Sequence, residues 1–143
     1  MEIKIEYNDI IDRCEKLSSF EADGRYDANG GSRYLEIHIN KVDEQLIQQY
    51  ILQARAILEE RMERMIDGIE DVDNGFVWTI RTSARWSGIK TFTKHVNEVI
   101  VSYAMAAWLR GKLDDRVPFY EDMFNTILAM AVKNIFTKQP PKK

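Results

Sequence analysis

The sequence predicts a mainly α protein: a small four-helix bundle-like domain with a short β-ribbon inserted in it. Three observations carry this expectation. Apolar residues recur at helical spacing from Asp43 to about residue 67; two more apolar helical stripes occupy about 91–110 and the chain from Pro118 onward; and between them residues 76–90 change to a two-residue alternation that holds two tryptophans. A length of 143 residues is common for one domain, and no repeat or linker divides it, so 1–143 reads as one unit. With 45% hydrophobic and 30% charged residues, the composition is that of a globular chain.

Asn8 is placed to cap a first helix whose apolar residues Ile10, Ile11, Cys14 and Leu17 share a face, ending near Phe20. The stretch 21–34 gathers Gly24, Gly30 and Gly31 with Asp and Asn and reads as a loop. Leu35, Ile37 and Ile39 then alternate with polar residues, the pattern of a short half-buried strand. In the long helix from Asp43, the residues Leu46, Ile47, Tyr50, Ile51, Ala54, Ile57, Leu58, Met62, Met65 and Ile66 face one way, while Gln48, Gln49, Gln53, Glu59, Glu60 and Glu63 face the other. Gly68 and the run DVDNG break it, with Asn74-Gly75 suited to a turn.

Phe76, Trp78 and Ile80 alternate with Val77, Thr79 and Arg81, so a strand begins there, and 84–89 is its expected partner in a two-stranded ribbon. A lone ribbon is marginal in water and has to lean on something. One indole, Trp78, is expected against the helices and the other, Trp86, toward a partner, because tryptophan joins a large contact area to a polar edge. With the cations beside them, Trp78, Arg81, Arg85, Trp86 and Lys90 make up the candidate partner-binding set. The helix over about 91–110 is apolar almost all round, which suits a central or shared position. In the last helix Phe119, Tyr120, Met123, Phe124, Ile127, Leu128, Ala131 and Ile135 are expected on the buried face, and 137–143 is expected as a flexible basic tail.

The net charge of −3 conceals an asymmetry. Residues 1–75 hold 9 Lys and Arg against 18 Asp and Glu, and residues 76–143 hold 11 against 5. Such halves can attract across neighbouring subunits or neutralise each other within one fold. The N-terminal residues carry no basic-then-apolar signal, and no apolar run approaches the roughly 20 residues of a spanning helix, so no membrane partner is expected. A single cysteine, Cys14, allows no internal disulfide.

Catalytic signals are poor. His38 and His95 stand in different elements without metal-ligand spacing, and the sequence has no phosphate loop, dinucleotide fingerprint or nucleophile elbow. Loop 25–36 approaches a calcium loop at Asp27, Asn29, Gly30 and Glu36, but Arg25 stands where the first carboxylate belongs. No catalytic, cofactor or metal residue is therefore assigned, and an enzyme is not expected. The mixture of cations and indoles in 78–94 also suits a single-stranded nucleic acid, the alternative being a helical module that binds through this ribbon.

The stretches DEQLIQQYILQARAILEERM, KHVNEVIVSYAMAAWLRG and VPFYEDMFNTILAMAVKNIF together resemble the long helix and last helix pair of the small head-tail connector, or adaptor, proteins of tailed bacteriophages and prophages. The resemblance spans about half the chain and rests on helix pattern, size and an aromatic-bearing penultimate helix. It implies a structural, non-enzymatic subunit in a virion or its bacterial host cytoplasm. Such a subunit assembles with copies of itself as a ring under the portal and contacts portal and tail proteins, while DNA passes through the lumen without sequence-specific binding. Helices 43–67 and 91–110 would form the wall and 76–90 would reach a neighbour. The Gly-rich loop, the strand at 35–39 and the ribbon depart from the minimal pattern.

Overall fold

A computed structural model of the chain describes residues 1–81 and 88–137. It is mainly helical with a small three-stranded antiparallel sheet. The elements run β1 (Glu2–Glu6), α1 (Tyr7–Ala22), α2 (Tyr34–Ile37), a 3-10 turn (Lys41–Asp43), α3 (Glu44–Arg61), a second 3-10 turn (Glu63–Met65), β2 (Ile66–Val72), β3 (Gly75–Ile80), α4 (Ile89–Leu109) and α5 (Val117–Thr137).

The sheet has the order β1-β3-β2. β3 is therefore its central strand, paired with Ile3 opposite Trp78 on one side and Ile69 opposite Trp78 on the other. The strand expected at Phe76 therefore pairs with β1 and β2, and most of its expected partner 84–89 lies outside the described residues. The sheet also shortens the long helix, which gives way after Arg61 so that 66–72 can become a strand, with an irregularity in pairing between Ile66 and Gly68. The expected turn at Asn74-Gly75 does form, and Asn74 takes φ 65°. At Gly75 the backbones of β3 and β1 come so close that a Cβ would overlap the Ile5 carbonyl oxygen.

That turn also starts α1. The Asn74 carbonyl accepts from the Tyr7 N–H at 2.7 Å, and its Oδ1 accepts from the Asn8 N–H at 3.1 Å. Asn74, not Asn8, thus satisfies the first amides of the helix, a capping function supplied from 66 residues away in sequence. α1 then buries Ile10, Ile11 and Cys14 along one face.

The expected strand at 35–39 is instead the single turn α2 and an extended exit. Its backbone groups are met by side chains of other elements: Trp108 Nε1–H donates to the Ile37 carbonyl at 2.6 Å, and the Ile39 N–H donates to Ser18 Oγ at 2.9 Å. Ile37 and Ile39 are buried as the alternation required, whereas Leu35 points out.

α4 is the central helix, with α1, α3, α5 and β1 packed around it. Its buried residues include Phe92, Val96, Val99, Ile100, Val101, Ala104, Met105, Trp108 and Leu109, so more than one face is covered. Among the described residues no helix is long and apolar enough to cross a membrane.

Cys14 is fully buried, and desolvation pushes its thiol up to about 12. Only the thiolate is nucleophilic. Native protein is accordingly expected to leave Cys14 unmodified by a thiol-reactive dye at neutral pH, with one equivalent taken up on denaturation; prompt labelling of folded protein would contradict this packing.

Candidate functional site

Of the sequence-derived partner set, the described residues divide between core and surface: Trp78 is inside, and Arg81 and Lys90 are exposed. Trp78 is fully buried and stacks obliquely on Phe76, with ring centroids 5.1 Å apart. Its indole Nε1–H donates to Glu59 Oε2 at 2.9 Å. Trp78 thus lies against the helices as expected of one indole, but it offers no surface to a partner, and its place in the partner-binding set is corrected. A central strand facing α3 has to be apolar on that side.

Arg81 is exposed at the end of β3 and binds Asp67, with Nε to Oδ1 at 2.9 Å, while its backbone N–H donates to the Met65 carbonyl. Lys90 is exposed in the first turn of α4, with Lys94 exposed one turn later. Arg85 and Trp86 lie outside the described residues, as does 138–143 of the expected basic tail. Arg61 and Arg64, exposed at the C-terminal end of α3, share this end of the molecule with Arg81, because the Met65 contact joins the two elements.

The calcium-like loop is occupied by its own backbone. Asp27 Oδ1 accepts from the Asn29 and Gly31 N–H groups at 2.9 and 2.8 Å, an Asx-type turn closed by the Tyr26–Ser32 bridge. His38 stacks on Tyr34 and contacts Asn40. His95 Nδ1 is buried with no hydrogen-bond partner among the described residues.

A concave site lies between α3, α4 and α5 beside Tyr103, one of the two positions around which a small enzyme or ligand-binding bundle would need a pocket. α4 forms its floor with Tyr103, Ala106 and Ala107; α3 lends Tyr50 and Gln53; and α5 lends Glu121, Phe124 and Asn125. The groove holds about 500 Å³. Two small residues, Ala106 and Ala107, follow Tyr103 on α4 and leave room between the flanking helices. Tyr103 donates to Gln53 Oε1 at 2.9 Å and packs on Phe124 with centroids 5.7 Å apart. Arg110 and Glu121 face each other across the rim at 3.7 Å. The charges of the lining offset one another and its inner surface is aromatic and small. Such a surface suits an apolar side chain with a polar edge rather than proton transfer, for which an ionisable group has to be poised against a substrate.

Comparison of the chain with protein-family models, curated proteins and solved structures finds no match.

Replacing Trp78 with Phe removes the bond to Glu59 and part of the packed volume, and is expected to cost about 2 kcal/mol. Chemical denaturation should show that loss while self-association stays at the wild-type level; weakened association with unchanged stability would return Trp78 to a docking surface.

Proposed function

We propose that the protein is a non-enzymatic structural subunit of the head-tail connector type, assembling as a ring between a portal and a tail. The observation that carries this reading is the open groove on α4, the central helix: it is aromatic, self-neutralised at its rim and shaped to receive a side chain of another protein. The order of a long helix followed by an apolar helix and a returning last helix agrees with the three stretches that resemble connector subunits. The uneven charge adds to it, since the basic end formed by exposed Arg61, Arg64, Lys90 and Lys94, with Glu60 and Glu63 among them and Arg81 tied to Asp67, offers cations to acidic neighbours or to passing DNA.

The nucleic-acid reading draws on the same basic end, but it loses Trp78 as a stacking platform. With Trp78 removed from it, the reading rests chiefly on cations, which predict weak, salt-labile retention.

Negative-stain electron microscopy of the concentrated protein, alone and with the portal protein encoded in the same genome, tests the connector reading. Closed rings that stack on portal particles are the expected result. No rings and no portal binding, together with DNA retention at low salt that Arg81→Glu/Lys90→Glu abolishes, would favour the alternative.

A further inference from the structure

α5 carries a second apolar stripe. At about 100° per residue, the residues that face α4 are Val117, Tyr120, Leu128, Ala131 and Ile135, and all five are buried. Phe119, Met123, Ile127 and Met130 fall on a neighbouring flank instead. Phe119 and Met130 are each 47% exposed, and Met123 and Ile127 are half-buried. The sequence pattern had assigned Phe119, Met123 and Ile127 to the buried face, yet this ridge has only its inner edge on the core.

The groove opens on the other side of the same helix. Of its α5 lining, Phe124 falls within the α4-facing stripe, and Glu121 and Asn125 lie beyond that stripe from the ridge. One molecule thus presents an apolar ridge on one flank of α5 and an aromatic-lined groove on the opposite flank. Surfaces that fit each other but lie on different sides of a subunit make head-to-tail contacts, which close into rings when the rotation allows.

We infer that the Phe119–Met130 ridge of one copy seats in the Tyr50–Tyr103–Phe124 groove of a second copy. Charge supports this occupant. Asp122 flanks the ridge one residue after Glu121, the residue that Arg110 faces at 3.7 Å. When two copies stand side by side in the same orientation, Asp122 of one comes level with Arg110 of the next. The long Arg110–Glu121 contact, between side chains 65% and 52% exposed, leaves the guanidinium able to turn to it. The contact deepens the ring reading by naming its two surfaces, and it rests on that reading only for the closure of the ring.

Two variants test it: Met123→Lys/Met130→Lys, which spoils the ridge, and Ala107→Arg, which fills the groove. Circular dichroism and thermal melts first establish that both are folded. In sedimentation velocity at high concentration, the wild type is expected to form species larger than a dimer and each variant alone to remain monomeric. An equal mixture is expected to double in mass and go no further, because it holds one intact ridge opposite one intact groove. Three results would each overturn the inference: a wild type that stays monomeric throughout, variants that associate as the wild type does, or a groove variant that dimerises alone through two ridges. A 1:1 pair whose wild-type parent never binds a portal would leave this interface standing while removing the connector reading.

Discussion

The guanidinium of Arg55 is the group on which the seating of the sheet depends. It extends from α3 with its side chain only 12% exposed and donates to Glu59 Oε2 at 3.0 Å and to the Tyr7 hydroxyl at 3.1 Å. It also meets Asp71 Oδ1 at 2.6 Å and lies 4.4 Å from the centroid of the Phe76 ring. One cation thereby ties α3 to the first residue of α1, to β2 and to β3. Glu59, held by Arg55, is in turn the acceptor for the Trp78 indole. Taking a charge out of water is unfavourable unless its hydrogen bonds are remade, and here carboxylates and a phenol remake them. The carboxylates of Glu59 and Asp71 hold Arg55 more firmly protonated than usual, against the opposing effect of its burial. Once this knot is formed, β3 cannot swing away from α3 without uncovering a tryptophan, whose burial removes roughly 150–250 Å² from water. At ~25 cal/mol per Å² that is about 4–6 kcal/mol as an upper bound.

A second tie holds the opposite end. Glu21, near the end of α1, is almost fully buried and receives Arg116 Nε and Nη2 at 2.7 and 2.9 Å, with the Tyr120 hydroxyl at 3.2 Å. Desolvation and the neighbouring Glu21 carboxylate hold the Tyr120 phenol above its ordinary range. This clamp fixes where α5 departs from the loop after α4, and hence how α5 is turned about its own axis. The rotation matters for function, because it decides which apolar residues of α5 enter the core and which are left on the flank.

Most of the helical framework was legible because its periodic patterns are long: the buried Ile47, Ile51, Ala54 and Leu58 of α3 and the apolar girth of α4 follow directly from spacing. The sheet was less so. β1 spans five residues, with Ile3 and Ile5 buried between Glu2, Lys4 and Glu6, too short a run to stand out. Nothing local in the sequence says that it pairs with residues 75–79. The alternation at 35–39 was real, but its backbone partners are Trp108 and Ser18 side chains, which only the tertiary fold brings near. The groove was hidden for the same reason. Tyr50, Tyr103 and Phe124 are ordinary core-pattern residues in three separate helices, and Ala106 and Ala107 are conspicuous only as missing volume. Loud local signals such as paired tryptophans drew attention to the ribbon, whereas the exposed flank of α5 came from a small difference in helix rotation.

In the proposed contact between copies the docking surfaces are the two flanks of α5, and the buried Trp78 takes no part. Hydroxyl-radical footprinting of dilute and concentrated protein, read by mass spectrometry at single side chains, tests that claim directly. Phe119, Met130, Tyr50 and Tyr103 are expected to lose reactivity together as concentration rises, while Trp78 stays unreactive throughout. Protection gained only at residues 81–94, with the α5 flank and the groove unchanged, would contradict it.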